Sequence, residues 1–303
     1  MTLRKILIGF VLLPVFIHAE SVFEIGLRGG LAGWRASTNY VEMLPNVHGG
    51  LELAYRYHSP YYFSLRVGVT VDEHICGFSK HNYEDSYQVK DLDKQTMQVD
   101  YKIGRLRERY STLSVGVPVQ IGATFKEWSF FVGPKVVLPL MSSWKETIRE
   151  AELSVYYPDY DNRVYESYPL GATGHFALEN EGKIKMDELP KPEWWVAAEV
   201  NYTHYIKSGR NSHSFIVFGL YADVSLTDRP IDRSTAESLV MLSTMQDPFV
   251  PLERQLMSTV LGGNRQGEEL VKRCSLFDVG IKIAYAISPY NRHKANPHKC
   301  NCL

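Results

Sequence analysis

Two residue sets in this 303-residue chain have the types for catalysis or metal binding. His48, Glu52 and Ser64 could act as a nucleophile set, because a serine hydroxyl needs an imidazole base and that imidazole needs an orienting carboxylate, all within hydrogen-bond reach. Parity puts His48 and Glu52 on one face of a strand and Ser64 on the same face of the next, but parity gives no distance. His74 and His81 flank Cys76, and imidazole and thiolate are zinc ligands, yet no second half of a site follows. Cys300-Asn301-Cys302 also lacks a zinc spacing. His204 falls on an apolar phase beside a short turn, where it reads as interfacial. No catalytic residue, cofactor or metal is assigned on these sets, and the chain reads as non-enzymatic.

A larger set is electrostatic. The stretch "YYFSLRVGVTVDE" at 61–73 alternates, with Phe63, Leu65, Val67, Val69 and Val71 on one side and Arg66 and Asp72 on the other. The same phase in other segments collects Glu24, Glu52, Glu199, Asp223 and Asp278 with Arg28, Arg56, Lys135 and Lys282. If the apolar side meets lipid, these charges share an interior. An eight-stranded barrel leaves room only for side chains, so the charges either pair as a salt-bridge core or exchange partners in a narrow pore. Arg66 is then locked to a carboxylate such as Glu52 or free to line that pore.

The elements that would position them are eight period-2 segments, most of ten residues or more, long enough to cross a bilayer as tilted strands. Gly26, Gly30, Gly50, Gly68, Gly116, Gly122, Gly133, Gly219 and Gly280 fall on the polar phase, where long charged side chains need space. Short turns at 58–60, 126–127 and 207–212 alternate with long connections near 35–46, 75–106, 146–191 and 227–274. That order places tight turns at one end of a meander and long loops at the other. Tyr55, Tyr57, Tyr61, Trp128, Tyr202 and Tyr285 collect at the short-turn end as an aromatic girdle, with Trp34, Trp144 and Trp194 toward the other rim. Residues 229–262 carry a capping-box pattern, Ser234 to Glu237, and are expected to hold short helices. The loop "LSVYYPDYDNRVYESYPL" presents Tyr156, Tyr157, Asp159, Tyr160, Asp161, Tyr165 and Tyr168, a surface suited to a sugar, a peptide or a partner protein. Residues 96–110 read as a strand extension above the membrane. If 96–110 and 172–188 both crossed, the barrel would have ten strands.

The flanks fix the compartment. Residues 1–19 place Arg4 and Lys5 before an apolar run ending at Ala19, the layout of a cleaved signal peptide. The expected division is a signal at 1–19, a barrel at 20–288 and a polar periplasmic tail at 289–303. With 33 basic against 34 acidic residues, the charge balance gives no nucleic-acid surface. A disulfide between Cys76 and Cys274 is open in an oxidising compartment.

"FEIGLRGGLAGW", "GVPVQIGATF", "FFVGPKVV" and the closing "FDVGIKIAYAIS" carry a resemblance to the small outer-membrane β-barrel proteins of Gram-negative bacteria. These include the eight-stranded barrel domains of outer membrane proteins A, W and X. The resemblance implies an all-β, antiparallel, up-and-down transmembrane barrel in the outer membrane. It also implies outer-membrane lipids around a monomer, and the outer-membrane assembly machinery and periplasmic chaperones as partners during biogenesis. The expected role is structural or binding, exerted through extracellular loops on an extracellular ligand or protein. The alternatives are a narrow, porin-like channel and, behind it, a lipid- or peptide-hydrolysing barrel enzyme. The chain departs from the pattern in continuing past Ile287, since such barrels commonly finish on a terminal aromatic.

Overall fold

A computed structural model describes residues 20–38, 42–58, 62–90, 94–165, 178–184, 191–208, 212–228, 240–242, 254–256, 264–265, 268–269 and 273–289. The expected signal segment and nearly all of the tail lie outside them. Eight strands form the body: β1 Glu20–Ser37, β2 Glu42–His58, β3 Phe63–Lys90, β4 Thr96–Phe125, β5 Trp128–Tyr157, β6 Glu193–Ser208, β7 Ser212–Ser225 and β8 Arg273–Pro289. Each pairs antiparallel with its neighbour in the order β4-β3-β2-β1-β8-β7-β6-β5, and β4 pairs β5 to close the ring. The seam joins the first and last strands, Phe23 opposite Ile287 and Leu31 opposite Val279. The strand containing Tyr285 is therefore the closing strand, whatever follows it.

The outside is apolar and the inside polar. Ile25, Leu27, Leu51, Leu53, Ile121, Val132, Leu220 and Ile281 are all at least half exposed, and together they make a band around the ring. Their even- or odd-numbered neighbours, among them Arg66, Lys135, Asp223 and Asp278, are buried. This inverts the arrangement of a water-soluble protein and fits one whose outer solvent is hydrocarbon. Two interior glycines make the space that the charges fill. A Cβ on Gly116 would lie 2.4 Å from Cε of Lys135 and 2.6 Å from Oγ1 of Thr70, and one on Gly219 would lie 2.2 Å from Oδ1 of Asn201.

At the short-turn end Phe125 and Trp128 face each other across Lys126-Glu127, with Lys126 in the left-handed region at φ 54°. Aromatic pairs mark this rim: Trp128 with Tyr202 at 5.3 Å and Phe23 with Tyr55 at 5.1 Å between centroids. Tyr61 lies outside the described residues.

At the other end the fold departs from expectation in four places. Most of the connection expected near 75–106 is a strand hairpin, because β3 continues to Lys90 and β4 starts at Thr96. At ~3.3 Å per residue these 28- and 30-residue strands run well past any bilayer. Residues 96–110 thus extend β4 rather than adding strands. β5 likewise continues to Tyr157, and its outer edge is covered by the short strands Leu178–Ile184 and Asn162–Tyr165. The loop periodicity was obscured because the inward phase changes. Even residues Cys76 and Phe78 point inward below Asn82, whereas Tyr83, Asp85 and Tyr87 do so above it, and Asn82 has φ 50°. In β5 a bulge at the 113/114 register step opposite Leu140 does the same.

The second correction is Trp34, which is not at the rim facing lipid. It lies on the inward phase and is buried in an apolar cluster with Phe78, Tyr110, Trp195 and Leu276, against which Trp144 also packs. Cys76 and Cys274 are buried in the same cluster. Third, the described part of 229–262 is a two-stranded ladder, Val240–Leu242 against Arg254–Leu256; short apolar runs do not distinguish helix from strand by periodicity. Fourth, His74 belongs to β3 and points inward while His81 is exposed, so the two histidines that flank Cys76 do not group around it.

Candidate functional site: the charged interior and the outer hairpin

All ten expected interior charges are buried, and they form two ionic layers. In the layer nearer the short turns, Glu24, Glu52 and Glu199 meet Arg56, Arg66 and Lys282. Arg66 contacts Glu52 and donates to Oε1 of Glu199 at 2.9 Å and to Oε1 of Gln120 at 2.7 Å. Arg56 contacts Glu24, and Lys282 donates to Glu199 at 2.7 Å. Three acids balance three bases, as burial of charge requires.

The second layer holds Arg28, Lys135, Asp72, Asp223 and Asp278 and adds two histidines that the expected charge set lacked. Arg28 and Lys135 both donate to Oδ2 of Asp223, at 2.7 and 2.8 Å, and Lys135 reaches Oδ2 of Asp72 at 3.0 Å. His74 Nε2 lies 2.8 Å from Oδ2 of Asp278. His48 Nδ1 lies 2.5 Å from the Tyr221 hydroxyl, and its Nε2 is 3.3 Å from Oδ1 of Asp72. Asp72 belongs to the same polar side of β3 as Arg66, so its place was readable. The two histidines were not, because their grouping depends on the cross-strand register, which sets His48 opposite His74.

Cross-strand neighbours in these layers are often like-charged. Arg56 stands opposite Arg66, Asp223 opposite Asp278, and Arg28 opposite Lys282. Such pairs are unfavourable alone, and the opposite charge comes from offset positions on the adjacent strand, as Glu24 to Arg56 and Glu52 to Arg66, or from across the bore, as Glu199 to Arg66.

Apolar layers close both ends of the charged zone. Val22, Phe215, Val217, Ala284 and Ala286 pack together toward the short turns. Toward the other end, Trp195 lies over His74 with centroids 5.7 Å apart, beneath the cluster around Trp34.

The nucleophile set is not brought together. Ser64 bonds His58 Nδ1 at 2.8 Å, His48 bonds Tyr221, and Glu52 contacts Arg66. In the Ser64–His58 pair that does form, Ser64 is fully buried and also bonds the Thr124 hydroxyl at 2.9 Å. His204 is exposed near the short-turn end.

Beyond the apolar band, β4, β5 and Asn162–Tyr165 carry the tyrosine-acid hairpin. A 3-10 turn at Pro158–Tyr160 and Asp161 at φ 47° form its tip. Tyr156 donates to Oδ1 of Asp161 at 2.8 Å, which holds its hydroxyl above the ordinary tyrosine range. Arg163 donates to Asp100 at 2.6 Å and lies over the Tyr156 ring at 5.2 Å. Gln95 donates to Tyr160, and Asp159 is exposed. Tyr168 lies outside the described residues, and of Tyr165 only the strand is described.

No protein-family model matches the sequence, and no curated protein is significantly similar to it. Among solved structures it is similar to Ail, the attachment invasion locus protein of Yersinia pestis, at 10% identity over 89% of this chain and 99% of that one, with a TM-score of 0.27. Neisserial surface protein A matches at 8% identity over 88% and 97%, with a TM-score of 0.25. The outer membrane protease OmpT from Escherichia coli matches at 8% over 91% and 98%, with a TM-score of 0.26. At such values no activity or ligand is carried across to this chain. The assignment rests on the molecule itself: a closed ring of eight antiparallel strands, an apolar outer band and a charged interior. The chain folds as an eight-stranded transmembrane β-barrel, the architecture of outer-membrane barrels.

Proposed function

We propose that this barrel is a non-catalytic, non-conducting anchor whose work is done by the hairpins it raises beyond the membrane, by binding an extracellular ligand or protein. The observation that carries the reading is the bore, in which Arg66, Lys135 and Asp278 are each at most 1% exposed and paired across it. Solvent-filled channels leave such groups wet. What supports a binding role is the tip at 156–163, where Tyr156, Tyr160, Asp159, Asp161 and Arg163 present amphipathic rings and both signs of charge on a short, internally bonded hairpin. Rings of this kind give contact area at low entropic cost.

The partners of biogenesis are the outer-membrane assembly machinery and periplasmic chaperones, and the barrel acts as a monomer among outer-membrane lipids. Two measurements test the proposal together. Purified protein in planar bilayers is expected to give no stepwise current at any voltage, and steady conductance would replace the anchor with a channel. Cells displaying the barrel are expected to retain ligands from a glycan and peptide array, and to lose them when 157–163 is replaced by a Gly-Ser turn. Equal retention by both forms would remove the hairpin from the function.

A further inference from the structure

We propose that His48, His74, Asp72 and Asp278 form a buried transition-metal site of the zinc class inside the barrel. The four side chains are at most 2% exposed, and donor atoms of His48, Asp72 and His74 all lie within 4.8 Å of one another. His48, Asp72 and His74 make the close set, and Asp278 joins it from the side of the two imidazoles. His48 Nε2 is 3.3 Å from Asp72 Oδ1 and 4.0 Å from Asp278 Oδ2, and His74 Nε2 is 2.8 Å from Asp278 Oδ2. Ligands at 2.0–2.2 Å on the corners of a tetrahedron are roughly 3.3 Å apart. Small adjustments about that mean admit the ion, which takes the place of the proton between His74 and Asp278.

Three further observations point to a ligand rather than to ordinary packing. First, His48 Nε2 and Asp72 Oδ1 are buried 3.3 Å apart and have no other hydrogen-bond partner; a contact that long leaves both poorly satisfied, and such atoms are costly to leave so. Second, the groups behind the donors are already set. Tyr221 Oη sits on His48 Nδ1 at 2.5 Å, which directs Nε2 toward the centre. Thr70 and Lys135 occupy Oδ2 of Asp72, at 2.6 and 3.0 Å, and leave Oδ1 to the centre. Ligand histidines and carboxylates are typically held in this way from behind. Third, the connected interior has one acid too many, with Glu24, Glu52, Asp72, Glu199, Asp223 and Asp278 against Arg28, Arg56, Arg66, Lys135 and Lys282. A divalent ion more than covers that acid, and the imidazoles select a metal that accepts nitrogen.

Sealed beneath Trp195, the site fills as the barrel closes and then resists chelators. The test refolds the full chain from urea into detergent with zinc, with cobalt or with chelator, followed by desalting and metal analysis. Stoichiometric zinc that survives chelator until the barrel is unfolded, and visible bands of four-coordinate cobalt, are expected. His48→Gln and His74→Gln are expected to lose both signals, and the exposed His81→Gln to keep them. Tyr221→Phe is expected to weaken zinc retention by roughly 10- to 100-fold. If wild-type protein, shown folded by its heat-modifiable gel migration, holds neither zinc nor cobalt, the cation is a proton on the histidine pair and the metal proposal is overturned. That readout comes from the wild-type barrel and does not depend on whether a variant folds.

Discussion

Arg66 on β3 and Glu199 on β6 are hydrogen-bonded at 2.9 Å across the bore, although two whole strands, β4 and β5, stand between them in the ring. Only a closed barrel brings these residues together. Removing the guanidinium leaves Glu24, Glu52 and Glu199 with too little compensating charge. Arg66→Ala is expected to lower folding stability by about 3–5 kcal/mol, read as the urea midpoint for unfolding from detergent or lipid. A loss within experimental scatter would mean that the interior is wet.

The lipid-facing assignment has a sharper check on the other side of the wall. Leu53 is 58% exposed and lies within the apolar band. In a bilayer, Leu53→Arg is expected to cost about 2–4 kcal/mol near mid-depth. A surface position in water would change by no more than about 0.5 kcal/mol. Refolding the variant into vesicles separates the two cases.

Gly116 tests how tightly the interior is filled. An added methyl meets Lys135 and Thr70 at once, and Lys135 cannot swing away without leaving Asp72 and Asp223. Gly116→Ala is expected to cost about 1–3 kcal/mol through overpacking. The same change at Gly49, where a Cβ would meet nothing within 4 Å, serves as the comparison in the same unfolding assay.

Beyond the membrane, Glu108 and Glu146 stand directly opposite each other on β4 and β5, both fully buried. Burial first, and then the Glu108 charge, holds the Glu146 carboxyl well above its ordinary value of about 4.5. A raised acid keeps its proton in the folded state, so its stability is intact below the ordinary value and is lost as pH rises through the raised one. Wild-type protein is expected to lose stability across that rise, and Glu146→Gln to lose less of it. Urea midpoints measured at acid, neutral and mildly alkaline pH decide the matter, and parallel curves would refute the pair.

The body of the fold was legible because lipid on one side and charge on the other impose a strict alternation on each strand. Parity thus placed Glu24, Arg28, Arg66 and Lys282 inside without any contact being known. Of their partners only Glu52, on the strand beside Arg66, was legible. Arg28 meets Asp223 and Arg66 meets Glu199 through ring closure and register, which a linear pattern does not encode. The outer hairpins were hidden for a different reason: Asn82 and the bulge at Leu140 each shift the phase by one, so a single parity cannot follow β3 or β5 from end to end. His48 and His74 were visible as residue types and invisible as a pair, since one was assigned to a strand and the other to a loop.

The like-charged ladder pairs also constrain how the molecule is made. Asp223 and Asp278 are neighbours wherever β7 and β8 have paired, whereas the bases that neutralise Asp223 stand on β1 and β5, as far as 195 positions away in sequence. A β7–β8 pair entering the bilayer before β1 and β5 are in place would therefore carry two repelling carboxylates toward hydrocarbon. Assembly must withhold insertion until β1 reaches β8, so that seam closure and crossing of the membrane become one cooperative event.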